Sequence, residues 1–215
     1  SVEPGGLDDY SGPILEWFRL EEFSHAFLVR QAKEYALDNH LLMRAAYVTA
    51  AVEWGEDFLW EIAPQHRAGF APGLVERLRA AMGIEGEGIE AVAKILQLDP
   101  VHVPEYTRFA VTVDDERTAA VRLDECEALH DDVHSPLGLL TTMPDTPGFE
   151  HMAQSVNPRA RVHPTGERSW EITIDPGAEP VAPHPLTSMV NLHEITTFDL
   201  GARPETPVQI GPPPS

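Results

Sequence analysis

The chain has 215 residues, with 15 Lys and Arg against 35 Asp and Glu, and a formal net charge of −20. Its 23% charged and 42% apolar residues suit an ordinary globular protein from which basic residues have been thinned. Only two lysines are present, Lys33 and Lys94, so neither neutralisation of nucleic-acid phosphates nor attraction to an anionic membrane surface is expected.

The single cysteine, Cys126, excludes an internal disulfide and a cysteine cage for zinc or iron–sulfur within one chain. No apolar run approaches the ~18–20 residues of a membrane span. Residues 1–12 lack a basic and an apolar region, so no signal peptide is expected. A thiol without disulfides fits a reducing compartment, and a cytoplasmic location is the expectation. Residues 1–13 read as a lead-in, 14–200 as one α+β domain, and 201–215 as an extended tail. Within the domain, 14–99 is helical in pattern and 105–200 contains the sheet.

In chain order, a first helix is predicted from near Glu21, with Phe23, Phe27, Leu28, Ala32, Tyr35 and Ala36 at helical spacing. Asp38 or Asn39 can cap a second helix, carrying Leu42, Met43, Ala46, Tyr47 and Ala50 inward. Gly55 and Pro64 mark its weakening and its end. A third helix is predicted near Gly73–Met82 and a fourth near Ile89–Leu98, stopped by Asp99-Pro100. The period then changes. Phe109, Val111 and Val113 alternate as in a half-buried strand, residues 114–117 turn, and Ala119, Val121 and Leu123 continue a partner strand. Phe149–Val156 reads as a short helix, Ser169–Ile174 as a strand, and Val190–Leu200 as another. Nine of the 20 prolines fall in the last 40 residues, which excludes long helices there and suggests segments that wrap a surface.

Several short strings occur in the order found in one known family. They are Tyr10-Ser11-Gly12-Pro13, Phe18-Arg19-Leu20-Glu21-Glu22-Phe23-Ser24, Met82-Gly83-Ile84-Glu85-Gly86 and Leu96-Gln97-Leu98-Asp99-Pro100. The strand leading to Cys126, the Val156-Asn157-Pro158 turn and Trp170-Glu171 follow. Across residues 10–175 the chain resembles the L-2-amino-thiazoline-4-carboxylic acid hydrolase-like group and its uncharacterised relatives. The resemblance implies a hydrolase for C–N or C–S bonds with Cys126 as the first residue to test. It also implies differences: Glu127 stands where the family usually has proline, and Leu137-Gly138-Leu139-Leu140 and Ser169 stand where relatives carry further cysteines.

The candidate catalytic residues are Cys126, His130 and Arg122. Each of the last two lies four residues from the cysteine, and imidazole or guanidinium charge would stabilise a thiolate. Asp124, Glu125 and Glu127 would oppose it, and a small residue closing a strand is the competing role. His130-Asp131-Asp132-Val133-His134 is the most metal-like string, with His130, His134 and Asp131 as candidate ligands and His151 or His163 as a further ligand from elsewhere. No cofactor is predicted, and a divalent metal is compatible with this string; a solvated acidic loop is the competing reading. Glu53, Asp57 and Glu61, spaced by four, read as a solvated face rather than a bundle metal site. His25 and His40, with Tyr35 and Tyr47 beside them, could face a ligand cavity or be core histidines.

Residues 123–158 contain seven acids and no Lys or Arg, either a solvated loop or a docking surface for a basic partner. Two functions from different classes follow. One is a small-molecule-binding, hydrolase-like domain acting on a small organic substrate. The alternative is a non-catalytic accessory subunit of a larger enzyme, docked through its acidic surface and C-terminal arm. A dimeric ligand carrier or sensor is a third. The expected partners are thus a small-molecule ligand and either a second copy or an enzyme subunit, with no nucleic acid and no membrane.

Overall fold

Ser24 starts the first helix: its hydroxyl accepts a hydrogen bond from the Phe27 amide at 3.2 Å, satisfying one amide that the helix leaves open. The computed structural model describes residues 6–102, 106–126, 129, 134 and 148–185. Within them, α1 spans His25–Trp54, α2 Glu56–Met82 and α3 Ile89–Gln97. Strands β1 (Arg108–Val113) and β2 (Thr118–Asp124), helix α4 (Phe149–Val156), and strands β3 (Ala160–Gly166) and β4 (Ser169–Ile174) follow. The architecture is α+β, with a helical N-terminal half. No helix among the described residues is long and apolar enough to cross a membrane.

Two helical boundaries differ from expectation. Asp38 and Asn39 begin no second helix but lie inside the 30-residue α1. The real break is Gly55, whose φ of 93° admits glycine easily and separates α1 from α2. Pro64 does not end a helix, and no separate helix begins near Gly73; Pro64 and Pro72 both lie inside α2. Each proline removes an amide donor, a local cost of about 3 kcal/mol. Packing outweighs it, because Leu59, Ala63, Ala68, Ala71 and Val75 of α2 are buried. Gly83, at φ 67°, then closes α2 with its amide on the Arg79 carbonyl.

The sheet is antiparallel in the order β1-β2-β4-β3. Phe109, Val111 and Val113 pair with Leu123, Val121 and Ala119, so the two alternating patterns share a face. Val121 then pairs with Trp170 and Ala119 with Ile172. Strand β3 escaped the sequence reading because Pro164 and two polar residues interrupt it. It is an edge strand, where a proline is tolerated, and its register shifts between Pro164 and Gly166.

The inner face of the sheet is covered by α3 and α4. Val92, Ile95 and Leu96 meet Phe149, Met152, Trp170 and Ile172 in one buried cluster. Phe109, Phe149 and Trp170 form a run of edge contacts, with centroids 5.6 and 5.3 Å apart. A second, small cluster of Tyr47, Leu59 and Ala63 joins α1 to α2. Val190–Leu200 and the tail lie outside the described residues.

Candidate functional site

The expected catalytic residues are separated by where the strand ends. Strand β2 stops at Asp124, so the face shared by Arg122 and Cys126 in an unbroken strand does not extend that far. Cys126 is buried in the main core cluster. Arg122 points its guanidinium at Asp124, with Nε 2.6 Å from Oδ1, and its side chain is 64% exposed. Arg168 is the cation the fold places near the thiol: it pairs with Glu125 at 2.6 Å, and Glu125 and Cys126 are among the groups that help hold its proton. His130 lies outside the described residues.

Of the metal candidates, His130 and Asp131 are likewise outside them. His134 is engaged by α2, its Nε2 lying 2.8 Å from Glu56 Oε1. Among the described residues no group of three or more His, Cys, Asp or Glu could hold a metal ion. Gly55 splits the Glu53, Asp57 and Glu61 spacing between two helices, and all three carboxylates are exposed. His40 is a core histidine, fully buried, with its ring edge-on to Tyr106 at 5.4 Å.

A different cluster stands where α1, α2 and the end of α3 converge. Arg67 of α2 and Asp99, just beyond α3, form a buried ion pair through Nη2 and Oδ2, with side chains 9% and 0% exposed. Asp99 follows from local chain chemistry. Its Oδ1 accepts the Val101 amide at 3.1 Å, a turn that the following proline favours. Burial alone would raise the Asp99 pKa, but Arg67 above all, with the Val101 amide, holds it below the ordinary carboxylate value.

Two groups in this cluster have unused hydrogen-bonding capacity among the described residues. Arg67 Nη1 is buried without a partner, and both ring nitrogens of His102 are too. His102 lies flat on Phe109, ring centroids 3.6 Å apart and planes 5° from parallel. Burial, opposed by Asp99 and reinforced by Arg67, pushes its pKa down to about 4, so it is neutral at pH 7. Gly148 supports the Arg67 stem from the other side. A methyl group there would stand 3.2 Å from Cγ and 3.3 Å from Nε.

Arg67 also lines an open cavity of about 330 Å³ between the helices, with Met43, Tyr47, Ile62, His66 and Phe70. This is near the lower end of the roughly 300–1,000 Å³ typical of small-molecule pockets. His66 stands at the rim, edge-on to Tyr47 at 6.3 Å and parallel to Phe70 at 6.2 Å. Partial burial, and then the Arg67 charge, hold His66 below the ordinary imidazole pKa. Burial raises the Tyr47 phenol, against a smaller opposing effect of Arg67. At neutral pH the wall is thus apolar, with a neutral phenol, a neutral imidazole and one paired guanidinium. A second cavity, about 480 Å³, lies between α2, α4 and residues 181–185 and includes His151. Cys126 lines neither cavity.

Sequence reasoning missed Arg67, Asp99 and His102 as a set. Asp99 was legible only as a helix stop. The available signal for Arg67 was a lone arginine beside Ala68 and Gly69, small residues suited to a buried helix face. The chain matches no protein-family model, no curated protein and no solved structure.

Proposed function

We propose that the protein binds a small organic molecule in the cavity between α1 and α2, with Arg67 as the polar anchor. One observation carries this reading: an open, largely apolar cavity of about 330 Å³ between the helices holds a few polar side chains in its wall, Arg67, Tyr47 and His66 among them. Apolar walls with few convergent polar groups are the usual build of such sites.

The reading keeps the small-molecule part of the sequence expectation and leaves out bond cleavage. The nucleophile expected for C–N or C–S hydrolysis, Cys126, is packed in the core rather than at this cavity. The test is a ligand screen by thermal shift on the wild type and on Ala46→Trp. Ala46 is an exposed residue of the cavity lining, so a large side chain there blocks the opening without entering the core. Hits that raise Tm in the wild type and lose their effect in the variant support the reading. Hits that act equally on both overturn it.

A second reading, the accessory subunit, is favoured by one observation. Ile14, Trp17, Val52 and Trp54, in the N-terminal segment and α1, are all more than 60% exposed. Large exposed apolar groups mark contact surfaces when they gather. The native mass of the untagged protein from its own source discriminates: a second polypeptide of different mass supports the subunit, and the mass of one chain overturns it.

A further inference from the structure

We propose that two copies of the chain pair edge to edge through strand β1, antiparallel about Val111, and so join their sheets into one. The proposal is independent of the cavity and starts from the hydrogen-bond parity of the sheet.

In an antiparallel ladder, successive residues direct their amide and carbonyl to alternate sides of the strand. Asp114 donates its amide to the Thr118 carbonyl at 2.9 Å, and the same register sets Thr112 with Ala120 and Ala110 with Arg122. The even-numbered residues of β1 therefore bond β2, while Phe109, Val111 and Val113 turn their amides and carbonyls to the outer edge. Among the described residues nothing pairs with that edge. Open edges are templates for pairing, and folded proteins usually blunt them. The opposite edge of this sheet is blunted by Pro164 and a register shift in β3, and by Arg161, which donates to the Glu179 carbonyl. Strand β1 has no proline and keeps its register unbroken from Arg108 to Val113.

The strand is also complementary to itself. A twofold axis at Val111 sets that residue opposite the partner's Val111, Phe109 opposite the partner's Val113, and Ala110 opposite the partner's Thr112. Every outward residue of β1 then exchanges backbone hydrogen bonds with an outward residue of the other copy. A slip of two residues either way leaves part of that ladder without a β1 partner. Val113 is apolar yet 46% exposed, on the face where Phe109 stacks on His102, and this register brings the partner's Phe109 against it. The same register places Arg108 opposite the partner's Asp114, twice by symmetry, and both side chains are exposed in the single chain. That charge match selects a second copy of this chain as the occupant. The net charge of −20 on each copy opposes association at long range, and physiological salt screens it beyond about 8 Å. One short strand on each side makes a small interface of the weak, concentration-dependent class.

Sedimentation equilibrium of the full chain in about 0.15 M salt should show a dimer forming over roughly 10–100 μM. Amide hydrogen exchange is followed over the same range. The Phe109, Val111 and Val113 amides should gain protection as the dimer forms, whereas those of Ala110 and Thr112, bonded to β2, should be protected throughout. Arg108→Asp and Asp114→Arg each set like charges opposite each other and should weaken the dimer at least about tenfold. Their Tm should change little, because Asp124, opposite Arg108 in β2, keeps its pair with Arg122. An equimolar mixture of the two variants restores both opposite-charge pairs and should recover the wild-type affinity as a mixed dimer. A single chain at every concentration up to about 500 μM overturns the proposal. If the outward amides of that single chain are protected, a segment of the same chain holds the edge instead. A dimer that leaves these amides unprotected meets through another surface and overturns β1 as the interface. Unchanged affinity in both variants, or a mixture no tighter than its components, overturns the pairing about Val111.

Discussion

Acid should weaken the fold through His102. Its pKa lies at about 4 in the folded protein against 6.5 for a free imidazole. The unfolded chain therefore takes up the proton first, so this contribution to stability is complete above pH 6.5, declines as pH falls and levels off below pH 4. Linkage over that difference amounts to about 2 kcal/mol between pH 7 and pH 5, and about 3 kcal/mol in full. The assay is urea unfolding at a series of pH values for the wild type and His102→Phe. Phenylalanine keeps a flat ring on Phe109 and removes both unpartnered nitrogens. Any overpacking by the larger ring is independent of pH. His66 and His151 are also held below their ordinary values, and they act in both proteins, so the difference between the two isolates His102. The stability of the variant relative to the wild type should grow by about 2 kcal/mol from pH 7 to pH 5. Parallel curves would refute the reasoning, since they would mean that the imidazole is protonated without penalty in the fold.

The other expectations concern the ion pair, its support and the core. Asp99→Ala strands Arg67 as an unpaired buried charge, and a loss of about 3–5 kcal/mol should appear in the same unfolding assay; a loss under 1 kcal/mol would show that water reaches the pair. Gly148→Ala, at a φ of −55° that any residue adopts, crowds the Arg67 stem by a few tenths of an ångström. It should weaken ligand binding with little change in Tm, and unchanged affinity would deny that the stem is positioned from that side. Trp170→Ala removes a side chain 1% exposed at the centre of the sheet and should cost about 3–5 kcal/mol, measured by urea midpoint at constant slope. Cys126→Ala should cost roughly 1 kcal/mol in stability and leave ligand affinity intact; lost affinity with a preserved midpoint would return the thiol to the site.

The Arg67–Asp99 pair is a conditional source of stability. Buried ion pairs often contribute little net free energy over an apolar replacement, but removing one partner is costly. Here the pair ties α2 to the segment after α3, and Arg67 is also among the residues that line the cavity beside it. One side chain therefore belongs both to the junction and to the wall of the proposed ligand cavity.

The sequence by itself determined the pairing of β1 with β2 and the short helices. Alternation in Phe109–Val113 and Ala119–Leu123 has only one burial-compatible pairing across a four-residue turn, and the structure has that register. Phe149–Val156 and the strongly amphipathic α3 were legible for the same reason, since their apolar spacing matches one face. Caps and prolines misled the reading of α1 and α2, because they are local signals of a few kcal/mol at most and long-range packing overrode them. Strand β3 was hidden by Pro164, which matters little at an edge. Tertiary structure alone decided the candidate site. Arg67 and Asp99 lie 32 residues apart, and nothing local in either segment refers to the other. A thiol, a guanidinium and imidazoles close in sequence suggested chemistry at Cys126 and His134, but the chain turned one inward and paired the other with Glu56. Spacing along a chain reports shared faces only while one regular element lasts; between elements, burial and charge balance choose the partners.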